Sequence, residues 1–355
     1  MTQKIRRRAF LSSAAALAAP LILGRRAGAA ERSITVGIYT AQQGEHVRKQ
    51  IIPPFEAAHD CKVYTTQGVT LEQIALLRTT RGNPKYSVMF MDDIGVDLAK
   101  NEGLIELLPV DRIPNMRQVL KRFIFNGGYG AGFAMSSVGL VYNSQTGKPL
   151  ASYAELWDER FRKRFLMTSP KSTQSTHLLI AAVAVETGKP YAEAQYKIEE
   201  AWSKMAELKP NVLSIFENAS TVMQVAQGQA DLAGLSFSKG VYPYTVKGAP
   251  IDMCFPREGA FAGINCLTLV KNAPEPELGL AFINWMLDPD VQRGLAEATF
   301  AAPTIAGLEF KPDVAKYMAY PESKMDEMAI FSPDYSFINP IRSKLLEKYN
   351  EVFGS

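Results

Sequence analysis

From Ser33 onward, short unbroken apolar runs trade places with stretches of helical three-and-four spacing. Residues 34–39 predict a strand ending in the polar loop Thr40-Ala41-Gln42-Gln43-Gly44, and a helix through Val47, Ile51 and Phe55 follows. Pro53 and Pro54 lack N–H donors, so that helix is expected to kink or break at them. Residues 61–66 are strand-like, and residues 71–78 are helical with Thr70 as the cap. The run YSVMFM at 86–91 is a continuous apolar strand leading into Asp92, Asp93 and a helix over 94–102. Strands without polar alternation, separated by helices, predict a parallel sheet covered on both faces.

The pattern changes at Gly127-Gly128-Tyr129-Gly130-Ala131-Gly132. A nucleotide-binding loop opens a helix, whereas this run opens a strand over 133–142, so it reads as a loop before a strand that crosses between two halves. Small Ser136 and Ser137 in that strand suit close approach of a ligand or of the opposite half. A strand at 165–168 feeds the polar run Ser169-Pro170-Lys171-Ser172-Thr173-Gln174-Ser175-Thr176, ahead of an apolar helix over 178–185. Then come a helix of mixed face over 191–206, a strand over 212–216, a polar turn at 217–221 holding Ser220, and a helix over 222–227.

Residues 224–265 organise the rest. A helix ends at Gly228, a buried strand runs over 230–236, a second helix reaches Gly248, and a strand over 251–255 meets the corner Pro256-Arg257-Glu258-Gly259. A strand that leaves one half, bends at a Pro/Gly corner and re-enters the other half is what a hinged, two-lobed molecule needs. Beyond it lie a strand at 267–270, a helix over 274–287 carrying Phe282, Trp285 and Met286 to the core, and a last helix over 339–352.

Length agrees with two cores, since 355 residues exceed what one core of ordinary size needs. The net charge of +3 misleads. Lys4, Arg6, Arg7, Arg8, Arg25 and Arg26 flank an apolar run over 9–24, which is shorter than the roughly 20 residues of a bilayer span and reads as an export signal. Arg7-Arg8-Ala9-Phe10-Leu11 resembles a twin-arginine core, with an ordinary secretory signal as the alternative, and Ala27-Gly28-Ala29 offers a cleavage site. With those six removed from 39 basic residues, 33 remain against 36 acidic ones, and nothing is left to neutralise a nucleic-acid backbone. Cys61, Cys254 and Cys266 are too few for a disulfide scaffold and match no metal spacing; one bond, nearest in sequence between Cys254 and Cys266, is permitted, and at least one buried free thiol is expected.

Ligands of doubly covered parallel sheets sit beyond the carboxyl ends of the strands, which selects Thr40, Gln42, Asp92 and Asp93. The two acids serve equally well as helix caps. At 169–176, N–H groups at a helix start beside hydroxyls and Lys171 form a serviceable anion site, with a solvated capping loop as the alternative.

Seven runs in register resemble the solute-binding proteins of ABC importers, in the branch of the spermidine/putrescine-binding proteins. They are Asn101-Glu102-Gly103-Leu104-Ile105, Gly139-Leu140-Val141-Tyr142-Asn143, Tyr153-Ala154-Glu155-Leu156-Trp157-Asp158, Leu208-Lys209-Pro210-Asn211-Val212, Gly248-Ala249-Pro250-Ile251, Phe255-Pro256-Arg257-Glu258-Gly259 and Ala281-Phe282-Ile283-Asn284-Trp285-Met286-Leu287. The resemblance implies an α/β, two-lobed fold of the type II periplasmic-binding-protein kind, each lobe a mainly parallel sheet covered by helices, joined by crossing hinge strands. On this reading residues 1–29 are the export signal, 30–133 with 258–305 form lobe 1, and 134–257 with 306–355 form lobe 2. It further implies a periplasmic monomer without a cofactor that delivers a solute to a membrane permease and its ATPase.

Where polyamine binders of that branch carry acids, this chain departs. Their acid-bearing segment in the second lobe falls on Pro170-Lys171-Ser172-Thr173-Gln174-Ser175, their aspartate after the return hinge on Asn265, and their aromatic on Ser236-Phe237. A buried ammonium without a counter-charge costs several kcal/mol, so the expected solute is anionic or zwitterionic. Lys171 to Thr176 and Ser220 are expected to hold its anion and Asp92 or Asp93 any amine, with Ser136, Ser137, Glu258 and Asn265 lining the cleft. A polyamine or ferric-ion binder of the same fold is the alternative within the class, the latter on Tyr242 and Tyr244, which Pro243 separates. An exported enzyme is the alternative outside it, though Gly234-Leu235-Ser236-Phe237-Ser238 lacks the last glycine of a nucleophile elbow, and His46, His59 and His177 have no metal spacing.

Overall fold

The apolar runs become strands of one continuous curled sheet. The computed structural model describes residues 32–217 and 219–354, so the expected export signal lies outside the described residues. In chain order the strands are β1 (Ser33–Ile38), β2 (Lys62–Gln67), β3 (Val88–Asp92), β4 (Ile105–Glu106), β5 (Ile124–Phe125), β6 (Gly130–Asn143), β7 (Phe165–Thr168), β8 (Val212–Phe216), β9 (Leu232–Phe237), β10 (Ile251–Cys254) and β11 (Phe261–Val270). They pair in the order β2-β1-β3-β11-β6-β9-β7-β8, with β4 on β11 and both β5 and β10 on β6. β1 is parallel to β2 and β3. β7 is parallel to β8 and β9, so each end of the sheet is a parallel trio. Between them β11 and β6 run antiparallel to their neighbours and carry the sheet from one lobe into the other.

β6 has 14 residues because it serves both lobes. Its first half pairs with β11 up to Val138↔Phe261, and its second half pairs with β9 and β10 from Val138↔Phe237 to Asn143↔Ile251. At about 3.4 Å per residue such a strand spans roughly 45 Å, enough to belong to two layers. The chain returns where the sequence places the corner: β10 pairs with β6 in the second lobe, and β11 pairs with β3 in the first. The result is a two-lobed α/β plan in which β6 and β11 join two parallel-ended halves of one sheet.

The proline-bearing helix is interrupted just ahead of its prolines: a π-type turn, Val47–Ile51, joins Ala41–His46 to Ile52–His59, and both prolines fall in the first turn of the last piece, where missing N–H groups cost least. Two local expectations need correction. Thr70 is not a cap but the first residue of Thr70–Thr80, and its Oγ1 accepts the Asp92 N–H at 2.9 Å. The last crossing strand starts at Phe261 and not at Leu267, because Gly263 and Asn265 interrupt its apolar run. Cys61, Cys254 and Cys266 are all buried free thiols. The tail divides its packing: Met318 and Met325 join the core that holds β1 and β3, whereas Tyr335, Ile338, Leu345 and Tyr349 join the core around the helix Gln174–Thr187.

Candidate functional site

Parallel pairing of β1 and β3 brings Tyr39 and Asp92 together at the carboxyl end of the sheet, where Tyr39 donates to Asp92 Oδ1 at 2.8 Å. β11 runs antiparallel beside β3 and sets Asn265 opposite Asp92 in register. Asn265 Nδ2 donates to the same Oδ1 at 2.9 Å, and Asn265 Oδ1 accepts from Gln43 Nε2 at 3.0 Å. The second lobe supplies the next link. β9 ends at Phe237, the helix Ser238–Thr245 begins, and Lys239 extends from its first turn across the seam. Its Nζ donates to Asn265 Oδ1 at 2.7 Å and to Gln43 Oε1 at 2.9 Å. The ammonium also lies 5.0 Å from the ring centre of Tyr39 and 5.6 Å from that of Phe237, within the range of cation–π attraction. Phe237 reaches this place because β11 carries Gly263: a Cβ there would fall 2.2 Å from Cε1 of the ring.

Burial pushes the Lys239 ammonium down to about 8, with the Asp92 charge opposing the fall. Among the described residues no carboxylate lies within ion-pair distance of Nζ, so its hydrogen-bond acceptors are neutral amides. Burial, then the neighbouring Asp92, raises Asp93 well above the usual carboxylate range; Ser332 donates to its Oδ2 at 3.3 Å. Tyr39 is raised by burial and by Asp92.

A second cation lines the same seam. Arg342, at the start of the helix Arg342–Phe353, donates from Nη2 to Lys171 O at 2.9 Å, while its buried Nη1 has no partner among the described residues. Burial lowers its affinity for the proton, and the charge of Asp92 reaches it. Beside it Tyr335 contacts His177 Nε2 at 3.0 Å, and His177 lies flat on Phe261 with ring centres 4.7 Å apart. Burial pushes His177 down to about 3, so the ring is neutral, and its buried Nδ1 is unpartnered among the described residues, as is Ser136 Oγ on β6. Polar atoms buried without partners carry a cost that a polar occupant would relieve.

The sequence profile of bacterial extracellular solute-binding proteins matches residues 50–322. The chain belongs to that family. It is 24% identical over 343 residues to the spermidine/putrescine-binding periplasmic protein of Escherichia coli K12, covering 93% of this chain and 96% of that one. Among solved structures it resembles an ABC transporter substrate-binding protein from Bradyrhizobium japonicum, with a TM-score of 0.77 at 17% identity, covering 91% of this chain and 99% of that one. It also resembles the periplasmic binding protein AfuA from Actinobacillus pleuropneumoniae, solved with exogenous fructose-6-phosphate, with a TM-score of 0.71 at 17% identity, covering 91% and 98%. This is therefore a bacterial extracellular solute-binding protein, with polyamine-binding relatives.

In this solute-binding protein the residues selected from sequence separate into two groups. Asp92, Asn265 and Phe237 meet at the seam, with Ser136 on the crossing strand and Asp93 buried behind. The others do not join them. Gln42 is exposed and donates to Ala298 O at 2.6 Å, and its neighbour Gln43 enters the site instead. Thr40 is exposed and makes no side-chain cap. The Lys171 side chain is 74% exposed and pairs with Glu217 on the surface at 3.1 Å. Ser172 and Thr173 lie in the turn ahead of Gln174–Thr187, and the hydroxyls of Ser175 and Thr176 fold back onto their carbonyls. Ser220 is exposed in the turn Ala219–Val222. Ser236 is buried with its Oγ unpartnered among the described residues and pairs in register with Gly139. Ser137 lines a cavity of about 410 Å³ with Tyr242, Phe255 and Tyr317. Glu258 braces the corner, accepting from Ser152 Oγ and from Tyr153 N at 3.1 Å. Tyr242 packs on Tyr317 at 4.7 Å, and burial raises its phenol, which opposes the phenolate a ferric ion needs.

Tyr39, Gln43, Lys239, His177 and Arg342 were not foreseen as site residues. One signal was available for Lys239: it is the sole charge in the apolar run LAGLSFSKGV over 232–241, at the carboxyl end of a buried strand.

Proposed function

We propose that this protein is exported, that it binds a small anionic or zwitterionic solute at the seam between its lobes, and that it passes the solute to a membrane permease with its ATPase. The lobes divide near residues 133 and 258, with the tail packing on both, and the hinged corner around Glu258 lets them swing. Binding without covalent change is the whole of its chemistry. A cleaved signal over 1–29 and a periplasmic site of action fit the periplasmic relatives.

One observation carries the ligand class: the Lys239 ammonium is buried with neutral amides and ring faces as neighbours and no directly paired carboxylate among the described residues. A buried charge without a counter-ion costs several kcal/mol, and an anionic group on the solute would remove that cost. Arg342 Nη1, also unpartnered, supports the same sign. The relatives' printed ligands span both signs, a polyamine in one case and a sugar phosphate in another, so fold alone does not choose.

A thermal-shift panel of small carboxylates, sugar phosphates and diamines on the mature protein tests the proposal. A solute at a hundred times its dissociation constant adds about 2.7 kcal/mol of stability. The expected stabiliser is an anion or zwitterion; stabilisation by putrescine or spermidine with no response to any anion would reject the reading.

A further inference from the structure

The surroundings of the Lys239 ammonium are those of a bound amine. Two amide oxygens accept its protons at 2.7 and 2.9 Å, from Asn265 and Gln43. Two ring faces, Tyr39 and Phe237, look at it from 5.0 and 5.6 Å. The Asp92 carboxylate stands behind, its Oδ1 bonded by Tyr39 and Asn265, and supplies the negative field. Amide oxygens, aromatic faces and a nearby carboxylate are how proteins hold primary ammonium ions. The parts come from four separate places: the turn and short helix after β1, the end of β3, the middle of β11 and the end of β9. The loss of a side chain at position 263 makes room for the second ring. A lysine that merely snorkelled to the surface would need none of this.

We infer that the seam contains a latent primary-amine site which the protein fills with its own Lys239, so that external amines are excluded by a tethered competitor and the pocket is turned towards anions. This deepens the functional reading above and rests on the same site. Tethering gives the internal ammonium a high effective concentration, so a free amine of similar intrinsic affinity competes poorly. Specificity against amines is then written into one side chain, as an occupied subsite and a like charge together.

The inference predicts a gain of binding. In Lys239→Ala the retained Cβ leaves a space that matches n-propylammonium, whose carbons replace Cγ, Cδ and Cε and whose nitrogen replaces Nζ. Calorimetry with n-propylammonium chloride is expected to show affinity at least roughly tenfold higher for Lys239→Ala than for the parent protein, a difference of about 1.4 kcal/mol. Lys239→Met fills the same space with an apolar chain and is expected to show no gain. If Lys239→Ala does not fold, Lys239→Ser gives the same opening with a polar residue and carries the test. A folded Ala or Ser variant without amine affinity overturns the inference, as does equal affinity in the Met variant or in the parent. Failure here is separable from failure of the functional reading, because the anion response is read on the parent protein and the amine response on the variants.

Discussion

Lys239 donates to Asn265 across the seam at 2.7 Å, and that one contact ties the helix after β9 to the strand β11 of the opposite lobe. Asn265 is an acceptor for Lys239 through Oδ1 and a donor to Asp92 through Nδ2, so the neutral amide separates the cation from the carboxylate. That separation leaves Lys239 without a directly paired carboxylate, its charge only partly offset by Asp92 behind the amide.

Asn265→Asp is expected to abolish it. The new carboxylate would sit at hydrogen-bond distance from Nζ, restore the proton affinity of Lys239 towards its ordinary value and neutralise the positive field at the seam. Anionic solutes should then bind more weakly than to the parent, measured by calorimetry; unchanged or tighter anion binding would count against Lys239 as the attracting charge.

The pH dependence has a definite sign. Burial pushes Lys239 down to about 8 in the folded protein, against about 10.4 in the unfolded chain. Between those values the unfolded state holds more protons, so the Lys239 contribution makes stability rise with pH across the window, and below it the full cost of the buried charge remains. Asp92, Asp93, Tyr39 and Arg342 also face the seam, so the measurement is the difference between parent and Lys239→Met in melting temperature from pH 7 to 10. The parent should gain on the variant as pH rises; a flat or falling difference contradicts the assignment.

Arg342 should behave differently from the surface lysine Lys171. Lys171→Ala removes an exposed ion pair with Glu217 and should leave both stability and solute affinity close to the parent's. Arg342→Met removes a buried guanidinium with an unpartnered nitrogen, and the solute affinity should fall by roughly tenfold or more, since hydrogen bonds to charged groups are worth about 1.5–3 kcal/mol. Titration of both variants with the solute found by thermal shift checks the contrast, and an equal loss for both would refute it.

Gly263→Ala should destabilise by about 1–3 kcal/mol, because its Cβ would meet Phe237 at 2.2 Å and force the ring off β11. Urea unfolding reads the loss. Adding Phe237→Leu should recover part of it, and strict additivity of the two changes would show that the ring is not the obstacle.

Much of the fold was legible. β7 and β8 start and end where their apolar runs do, and the parallel pairing of β1 with β3 follows from strands that lack polar alternation, whereas the edge strand β2 alternates exposed with half-buried positions. The 256–259 corner marks the return between lobes as expected. At the site, the sequence points to Asp92 through its strand end and to Asn265 through the family register, and to Lys171 because a polar loop before a helix is a familiar anion site, whereas a lone lysine in an apolar run such as Lys239 is not.

The chain by itself settled the order of strands and helices, since periodicity and punctuation are local properties, and its family-like runs settled the two-lobed plan. Which charged side chain enters the seam was decided only in three dimensions. Gln43 and Asn265 are 222 residues apart, and Gln43 and Lys239 are 196 apart. They meet because β6 and β11 pair and carry both lobes to one line, and no local pattern encodes the direction in which a flexible lysine will point once two distant strand ends are brought together.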